Sequence, residues 1–387
     1  MREKQVLPVV VVALTAALVA VVALWTLDRV GREGTATVIS SGPDKVIEWK
    51  LVTTWPKGLP GLGAAPENFA RRVNEASGGR IRIKVFGAGE IVPAFEVFDA
   101  VSRGVAEAGH GAAYYWKGKI PAAVFYTAVP FGMTAQEANG WLHYGGGLEL
   151  WRELYAPFGV VPFAGGSTGV QMAGWFNTRL KSRADLQGLK MRIPGLAGEV
   201  FDAAGGSAVR IAGGEVYTSM QTGVIDAVEW VGPYNDRTLG LMEVGDYYYY
   251  PGWHEPGAML ETIVNEEALA ALPDDLQAIV RIAARATNTD MLDDFTANNS
   301  ESLQILLREF DTEVLPLPGD VLDALYESSQ KAIQALVESD PMAAKIAASY
   351  FEFAEKVRTY HEISERGYLN ARDRLLPPVT LIAESAE

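Results

Sequence analysis

Three short polar segments stand in apolar surroundings near the middle of the chain, and they hold the residues best suited to chemistry. They are residues 165–171, 190–195 and 225–233. Each reads as a strand end or a strand-to-loop turn, where α/β proteins present ligand-contacting groups. The segments supply the amide of Gln171, the guanidinium of Arg192 and the carboxylate of Glu229. This set predicts a site for a small organic anion together with a bound cation.

Arg192 is the strongest single candidate for contact with an anion. It lies in the alternating stretch 189–193, directly before Pro194 and Gly195, with Lys190 on the same side of the pleat. The planar guanidinium matches a carboxylate through two parallel hydrogen bonds. From the spacing alone, a surface arginine at a strand end is an equally good interpretation.

Glu229 is the sharper candidate for a cation ligand. It stands between apolar residues, where an isolated carboxylate is costly and calls for a metal ion, an arginine or a proton. Gln171 precedes another apolar run, and its carbonyl oxygen can either ligate a hard cation or tie a loop together. Trp230 can contribute its ring as a wall or its backbone carbonyl as an oxygen ligand.

Several kinds of catalysis find no support in the sequence. There are no cysteines among the 387 residues, which excludes disulfides, thiolate catalysis and zinc–thiolate sites. A nucleotide fingerprint beginning at Gly61 fails because Pro66 stands at its third glycine. The four histidines are far apart, none has a metal-ligand spacing, and a lone histidine is more often a packed residue. They are His110, His143, His254 and His361. We therefore predict a binding protein rather than an enzyme.

The formal net charge of −15 also argues against a nucleic-acid partner, which requires a basic face. Arg2 and Lys4 precede an uncharged apolar run from Val6 to Leu27. This pattern predicts export, with the segment acting as a cleaved signal peptide or as a retained membrane anchor. The polar stretch that follows, up to Lys45, fits a linker.

The remaining elements predict two α/β lobes with a ligand cleft between them. Strands and helices alternate from residue 46 to residue 112, which favours a mostly parallel sheet, and they alternate again from 170 to 228. Helices dominate after residue 273. The predicted boundaries are 46–165 with 230–262 for lobe I, 166–229 with 263–340 for lobe II, and 341–387 for a C-terminal helix.

Five segments together resemble the solute-binding proteins of tripartite ATP-independent periplasmic (TRAP) transporters, and more narrowly those that bind 2-oxo acids and related monocarboxylates. The similarity runs from about Ile47 into the C-terminal helices. The segments are Gly169-Val-Gln-Met-Ala-Gly-Trp-Phe176, Gly188-Leu-Lys-Met-Arg-Ile193, Ile211-Ala-Gly-Gly-Glu-Val-Tyr217, Ile225-Asp-Ala-Val-Glu-Trp-Val-Gly-Pro233 and Tyr247–Trp253.

The resemblance implies a two-lobed, hinged periplasmic-binding-protein-like fold with a long helix that spans both lobes. It implies that Arg192 clamps the substrate carboxylate. It also implies that Gln171 and Glu229, with the Trp230 carbonyl, hold a cation that contacts the substrate. Tyr114, Tyr115 and Trp253 are the residues it suggests for the apolar wall.

A charge count then favours particular ligands. Arg192, Glu229, Na⁺ and a monocarboxylate sum to zero, which predicts a 2-oxo acid such as pyruvate bound with sodium. Calcium requires another acid such as Glu255, and it forms the alternative together with a 2-hydroxy acid such as lactate.

The predicted partners are the membrane subunits of a TRAP transporter and a second copy of the chain. Residues Tyr350, Phe353, Ala354 and Val357 form a stripe at helical spacing, which packs either on the chain's own lobes or in a homodimer. A membrane-anchored extracytoplasmic sensory protein with the same fold is the rival prediction.

Overall fold

Two mixed β-sheets with helices on their faces form the body of the protein. The computed structural model describes residues 46–310 and 312–377, together with residues 16 and 18–21. The strands it describes are β1 (Ile47–Thr53), β2 (Ile81–Phe86), β3 (Ala108–Gly111), β4 (Val160–Ser167), β5 (Gly174–Phe176), β6 (Lys190–Arg192), β7 (Ser207–Val209), β8 (Ala227–Val228), β9 (Tyr247–Tyr250), β10 (Met259–Asn265) and β11 (Glu313–Pro316). The helices are α1 (Ala64–Ala76), α2 (Val97–Ser102), α3 (Ala135–Tyr144), α4 (Gly147–Tyr155), α5 (Gly195–Ala203), α6 (Val216–Gln221), α7 (Pro233–Thr238), α8 (Glu266–Ala270), α9 (Asp274–Glu309), α10 (Gly319–Ser339), α11 (Pro341–Ile363) and α12 (Glu365–Leu375).

The first sheet has the order β2-β1-β3-β10-β4. Strand β1 pairs in parallel with β2 and β3, as the alternation of strands and helices predicts. Strand β10 enters from a distant part of the chain and runs antiparallel to β3 and β4, so the sheet is mixed.

The second sheet has the order β11-β9-β5-β8-β6-β7. Strand β9 pairs with β5 and β11 in this sheet, whereas the sequence assigned residues 230–262 to the first lobe. Local patterns do not report which sheet a strand joins. We therefore propose a revised division in which the second lobe holds residues 174–250 and β11, and β10 belongs to the first lobe.

Helix α9 connects the two lobes. The sequence predicted two helices, over 273–287 and 291–310, but the structure has one helix of 36 residues, and the segment contains no glycine or proline to interrupt it. The helix packs on α1 and β4 of the first lobe and on α7 of the second. It is the lobe-spanning helix that the resemblance implies.

The C-terminal helices return to the first lobe. Helix α11 packs on α3 and α4, and its Tyr350 hydroxyl accepts a hydrogen bond from the Met133 amide at 2.8 Å. The predicted stripe therefore packs, through Tyr350, on the chain's own first lobe. The chain bends at Ser364, and α12 has no buried residue.

The structure describes five residues of the N-terminal apolar segment, residues 16 and 18–21, all in helical conformation. The rest of the predicted signal peptide or anchor lies outside the described residues. None of the described helices is long and apolar enough to span a bilayer.

Candidate functional site

Two chain segments, 168–173 and 251–258, cross from one lobe to the other side by side. The backbone amide of Gln171 donates to the backbone carbonyl of Glu255 at 3.2 Å. The backbone amide of Gly252 donates to the backbone carbonyl of Gln171 at 2.9 Å. A Cβ atom on Gly252 would lie 2.2 Å from the Gln171 carbonyl oxygen, so only glycine permits this approach. The pairing brings the side chains of Gln171 and Glu255 together at the hinge.

Arg192 ends β6, and Glu229 directly follows the neighbouring parallel strand β8. The guanidinium is 1% exposed, and its Nη1 donates to the Glu229 Oε2 at 3.0 Å and to the Glu229 carbonyl at 2.7 Å. Its Nη2 reaches the Tyr115 hydroxyl at 3.4 Å, and its plane lies 4.8 Å from the Trp230 ring centroid. Burial lowers the pKa of Arg192, but Glu229 and the two tyrosines raise it more, so the group stays charged.

Glu229 and Glu255 are both buried, and they differ in their partners. The Oε1 of Glu229 has no hydrogen-bond partner among the described residues, and the His254 Nε2 lies 3.5 Å from it. The Oε2 of Glu255 accepts from the Gln171 Nε2 at 2.8 Å. Burial raises the pKa of Glu255 well above its ordinary value, and the charge of Glu229 raises it further.

Gln171 completes this group. Its Nε2 donates to Glu255 and to the Thr168 hydroxyl, which leaves its Oε1 buried and without a partner in the described chain. Ligand atoms of Glu229, His254 and Glu255 all lie within 4.8 Å of one another. Buried oxygens without donors are what a hard cation would satisfy, so these residues fit a sodium or calcium ion.

Aromatic residues from the first lobe close the site from the other side. Tyr114 and Tyr115 lie on a 3₁₀ turn (Ala113–Trp116) and face a small cavity. The cavity is lined by Trp55, Leu62, Tyr114, Tyr115, Thr168, Gln171, Arg192, Trp230, Val231, Glu255, Ala258 and Leu260. Burial, more than any nearby charge, raises the pKa of both tyrosines, which therefore keep their hydroxyl protons.

The site residues predicted from the sequence line this cavity or lie next to its lining, except for Trp253. Trp253 does not line the cavity, and its ring instead packs 5.9 Å from that of Phe131. Glu229 and His254 are not part of the lining either, but they lie next to Arg192 and Glu255.

Sequence reasoning missed Trp55 and His254. Trp55 lies in the βα loop between β1 and α1, whose sequence suggests only the failed nucleotide fingerprint. The available signal for His254 was its position directly before Glu255.

The lobes are closed over this cavity. The Arg210 Nη1 of the second lobe donates to the Tyr115 carbonyl at 3.0 Å, and its guanidinium lies 4.4 Å from the Phe95 ring centroid. Lys117 of the first lobe forms an ion pair with Glu199 on α5. The mouth of the cleft is therefore bridged by contacts that opening must break.

A buried carboxylate supports the site in each lobe. Asp236 accepts from the Trp175 indole, the Tyr248 hydroxyl and the amides of Val231 and Gly232. It thereby fixes the loop directly after Trp230.

Glu261 is the counterpart in the first lobe. It accepts from the Trp116 indole and from the Tyr155 hydroxyl, which anchors the turn that carries Tyr114 and Tyr115. Burial raises the pKa of each carboxyl to about 7, although the hydrogen bonds to Asp236 and Glu261 oppose the shift.

Two α/β lobes closed over a buried guanidinium, with crossover segments at the base of the cleft, define the class of hinged solute-binding proteins. Residues 51–340 match the family of bacterial extracellular solute-binding proteins, family 7 (DctP). The chain belongs to this family, which supplies the solute-binding proteins of TRAP transporters.

Individual relatives narrow the comparison. The chain is 41% identical over 324 residues to a monocarboxylate 2-oxoacid-binding periplasmic protein of Nostoc sp., covering 84% of this chain and 88% of that protein. A TRAP solute-binding protein of Pseudoalteromonas atlantica, with bound sodium and pyruvate, is 40% identical with a TM-score of 0.82, covering 84% of this chain and 99% of that one. A TRAP solute-binding protein of Colwellia psychrerythraea, with bound calcium and pyruvate, is 39% identical with a TM-score of 0.82. The match covers 84% of this chain and 100% of that one.

Proposed function

We propose that this protein captures a small monoanionic 2-oxo acid such as pyruvate together with a cation, without turnover, and delivers the acid to the membrane subunits of a TRAP transporter. The observation that carries the proposal is a buried guanidinium beside buried oxygen atoms that lack donors. The sodium–pyruvate and calcium–pyruvate complexes of the two similar proteins support the same pair of ligands here.

The roles divide between an anion side and a cation side. Arg192, with its Nη2 toward the Tyr115 hydroxyl, would bind the substrate carboxylate. Gln171, Glu229 and Glu255, with the Trp230 carbonyl, would hold the cation. Such an ion, when bound, offsets the negative charge of the acid and of Glu229 and offers a ligand position to the substrate oxygens.

The protonation of Glu255 would decide which cation gives a neutral site. With Glu255 protonated, as its raised pKa favours, Arg192, Glu229, a monocarboxylate and a sodium ion sum to zero. With Glu255 ionised, the same groups sum to zero with calcium. We therefore propose sodium first and calcium second. Because the calcium-bound relative carries pyruvate, calcium does not by itself favour a 2-hydroxy acid such as lactate.

We propose a periplasmic location, which the periplasmic relatives from Nostoc sp. and Pseudoalteromonas atlantica support. Whether the N-terminal apolar segment is removed or kept as an anchor is tested by the mass of the mature protein. Loss of the apolar run that ends at Leu27 would support a released carrier, and an intact N-terminus would support a retained anchor.

A homodimer through the C-terminal helices is a separate proposal. Helix α12 has no buried residue, and apolar side chains on and near it are exposed in the single chain. They are Tyr360, Ile363, Tyr368, Leu375 and Leu376. Light scattering coupled to size exclusion should give twice the chain mass, and removal of residues 365–387 should give the monomer. A monomeric full chain would contradict the dimer and leave the binding function untouched.

Calorimetry tests the binding function through Arg192. Metal-stripped protein is titrated with pyruvate, longer 2-oxo acids and lactate, in the presence of sodium or calcium. Arg192→Ala should weaken pyruvate binding by at least about a hundredfold, since it removes the carboxylate partner and leaves Glu229 buried alone. Arg71→Ala, at an exposed ion pair with Glu75, is the matched control. Unchanged affinity in Arg192→Ala would refute the site.

A further inference from the structure

His254 is the least satisfied polar side chain at the hinge. It is 1% exposed, and neither ring nitrogen has a hydrogen-bond partner among the described residues. Buried imidazoles normally have at least one partner, so two empty nitrogens on one ring call for a specific explanation. The other fully buried histidine, His110, shows the ordinary arrangement, with the Trp55 indole donating to Nδ1 at 2.9 Å and the Gly165 carbonyl 3.2 Å from Nε2.

The His254 Nε2 lies beside a carboxylate oxygen, the Glu229 Oε1, that also lacks a hydrogen-bond partner among the described residues. The two atoms are 3.5 Å apart, and Arg192 occupies only the other oxygen of that carboxylate. Glu255 adds a third potential ligand within 4.8 Å of both. Two ligands on opposite sides of one ion lie about 4–5 Å apart for bonds of about 2.0–2.6 Å. One ion can therefore reach all three side chains.

The combination of donors differs from an oxygen-only cation site. Carboxylate and amide oxygens suit sodium and calcium, whereas imidazole nitrogen suits transition metals such as zinc, copper, iron and nickel. We infer that His254 supplies a nitrogen ligand to the cation site, so that the site also accepts a transition-metal dication, for which Mn²⁺, an ion that the carboxylates suit, serves as the paramagnetic probe. This inference rests on the proposed cation site and extends the range of ions that it takes.

The competing explanation is that His254 only orients Glu229 by a hydrogen bond. That role would satisfy Nε2, as a bound ion would, and either explanation leaves Nδ1 without a partner among the described residues. The two explanations differ in whether nitrogen is bonded to the ion, and that difference can be measured directly.

Pulsed electron paramagnetic resonance of Mn²⁺ bound to the metal-stripped full chain provides the test. One equivalent of Mn²⁺ should show ¹⁴N coupling of a directly bound imidazole, and His254→Gln should abolish it and weaken Mn²⁺ binding at least about tenfold. The affinity for Ca²⁺ should change by less than about threefold in the same variant, since oxygen ligands remain. His361→Gln, on α11, is the control and should retain the coupling.

Three results would overturn the inference. They are failure of Mn²⁺ to bind, Mn²⁺ bound without nitrogen coupling, and nitrogen coupling that persists in His254→Gln. Loss of Mn²⁺ from Glu229→Gln should confirm that the ion occupies this site. The wild-type spectrum is decisive even if a variant fails to fold. If pyruvate binds with no cation dependence while the nitrogen coupling is present, the proposed function fails and this inference stands.

Discussion

Four carboxylates are buried close to the cleft, and they fall into two contrasting pairs. Asp236 and Glu261 stand behind the site, one in each lobe, and both accept from a tryptophan indole and a tyrosine hydroxyl. Glu229 and Glu255 stand at the hinge, where Glu229 keeps one oxygen without a donor. All four carboxylates are buried, and the two pairs differ in the number of hydrogen-bond donors that contact them. A buried acid with a full set of donors holds the fold, and one with an empty oxygen marks the place of a ligand.

The largest expected effect is a loss of folding stability when Asp236, one of the two acids behind the site, is removed. Asp236→Ala removes the acceptor of four donors and should lower the free energy of unfolding by roughly 3 kcal/mol or more. Urea unfolding followed by circular dichroism measures the change, with Asp293→Ala on the exposed face of α9 as control. A loss no larger than in the control would show that Asp236 is not a structural acid.

Stability should also depend on pH through the same pair. Burial raises the pKa of Asp236 from 3.8 to about 7 and that of Glu261 from 4.5 to about 7. The folded state therefore holds protons that the unfolded state has already released, so the stabilisation is complete below about pH 4 and is lost as the pH rises to about 7.

Comparison with a variant isolates this dependence. Asp236→Asn cannot titrate, so the difference in unfolding free energy between wild type and variant should shrink by at least about 1.4 kcal/mol, the equivalent of one pKa unit, between pH 4 and pH 7. Urea unfolding at closely spaced pH values gives this difference. A constant difference across the window would contradict the raised pKa.

Glu255→Gln should change the choice of ion rather than the fold. The amide keeps one oxygen but cannot ionise to supply the negative charge that calcium requires, so the ratio of calcium to sodium affinity should fall by about tenfold or more. Calorimetric titration with each ion at constant pyruvate measures the ratio. Equal losses for both ions would mean that Glu255 does not select by charge.

The smallest effect is expected at the mouth of the cleft. Arg210→Ala removes one hydrogen bond to the Tyr115 carbonyl and the contact with Phe95, so pyruvate affinity should fall by only about threefold. The dependence on the cation should be unchanged. A shift in the cation dependence would place Arg210 among the residues that affect the ion.

Much of the fold and several site residues follow from local pattern. The alternation of strands and helices predicts two lobes, and Arg192 and Glu229 lie at the ends of neighbouring strands, which brings them together. The sheet of β9 was predicted wrongly, because its aromatic run carries no signal for its partner strands. The predicted break between two helices near residue 288 is also wrong. Helix α9 is continuous there, and it packs on both lobes.

Site residues that depend on the hinge were harder to predict. The sequence presents His254 as a lone histidine because Glu229 approaches it only in the folded chain, although Glu255 is its direct neighbour. Trp253 was expected in the wall because it adjoins that segment, but its side chain points to Phe131. One residue of offset along an irregular crossover separates a ligand-facing side chain from a packed one.

The cation dependence of pyruvate binding tests the central claim most directly. Metal-stripped wild-type protein should bind pyruvate at least about tenfold more tightly when sodium or calcium is added, because the ion satisfies the empty oxygens of Gln171 and Glu229. In Glu229→Gln this enhancement should disappear, and circular dichroism checks that the variant, which leaves the Arg192 charge buried without its carboxylate partner, is still folded. Equal pyruvate affinity with and without cations in the wild type would contradict the cation site.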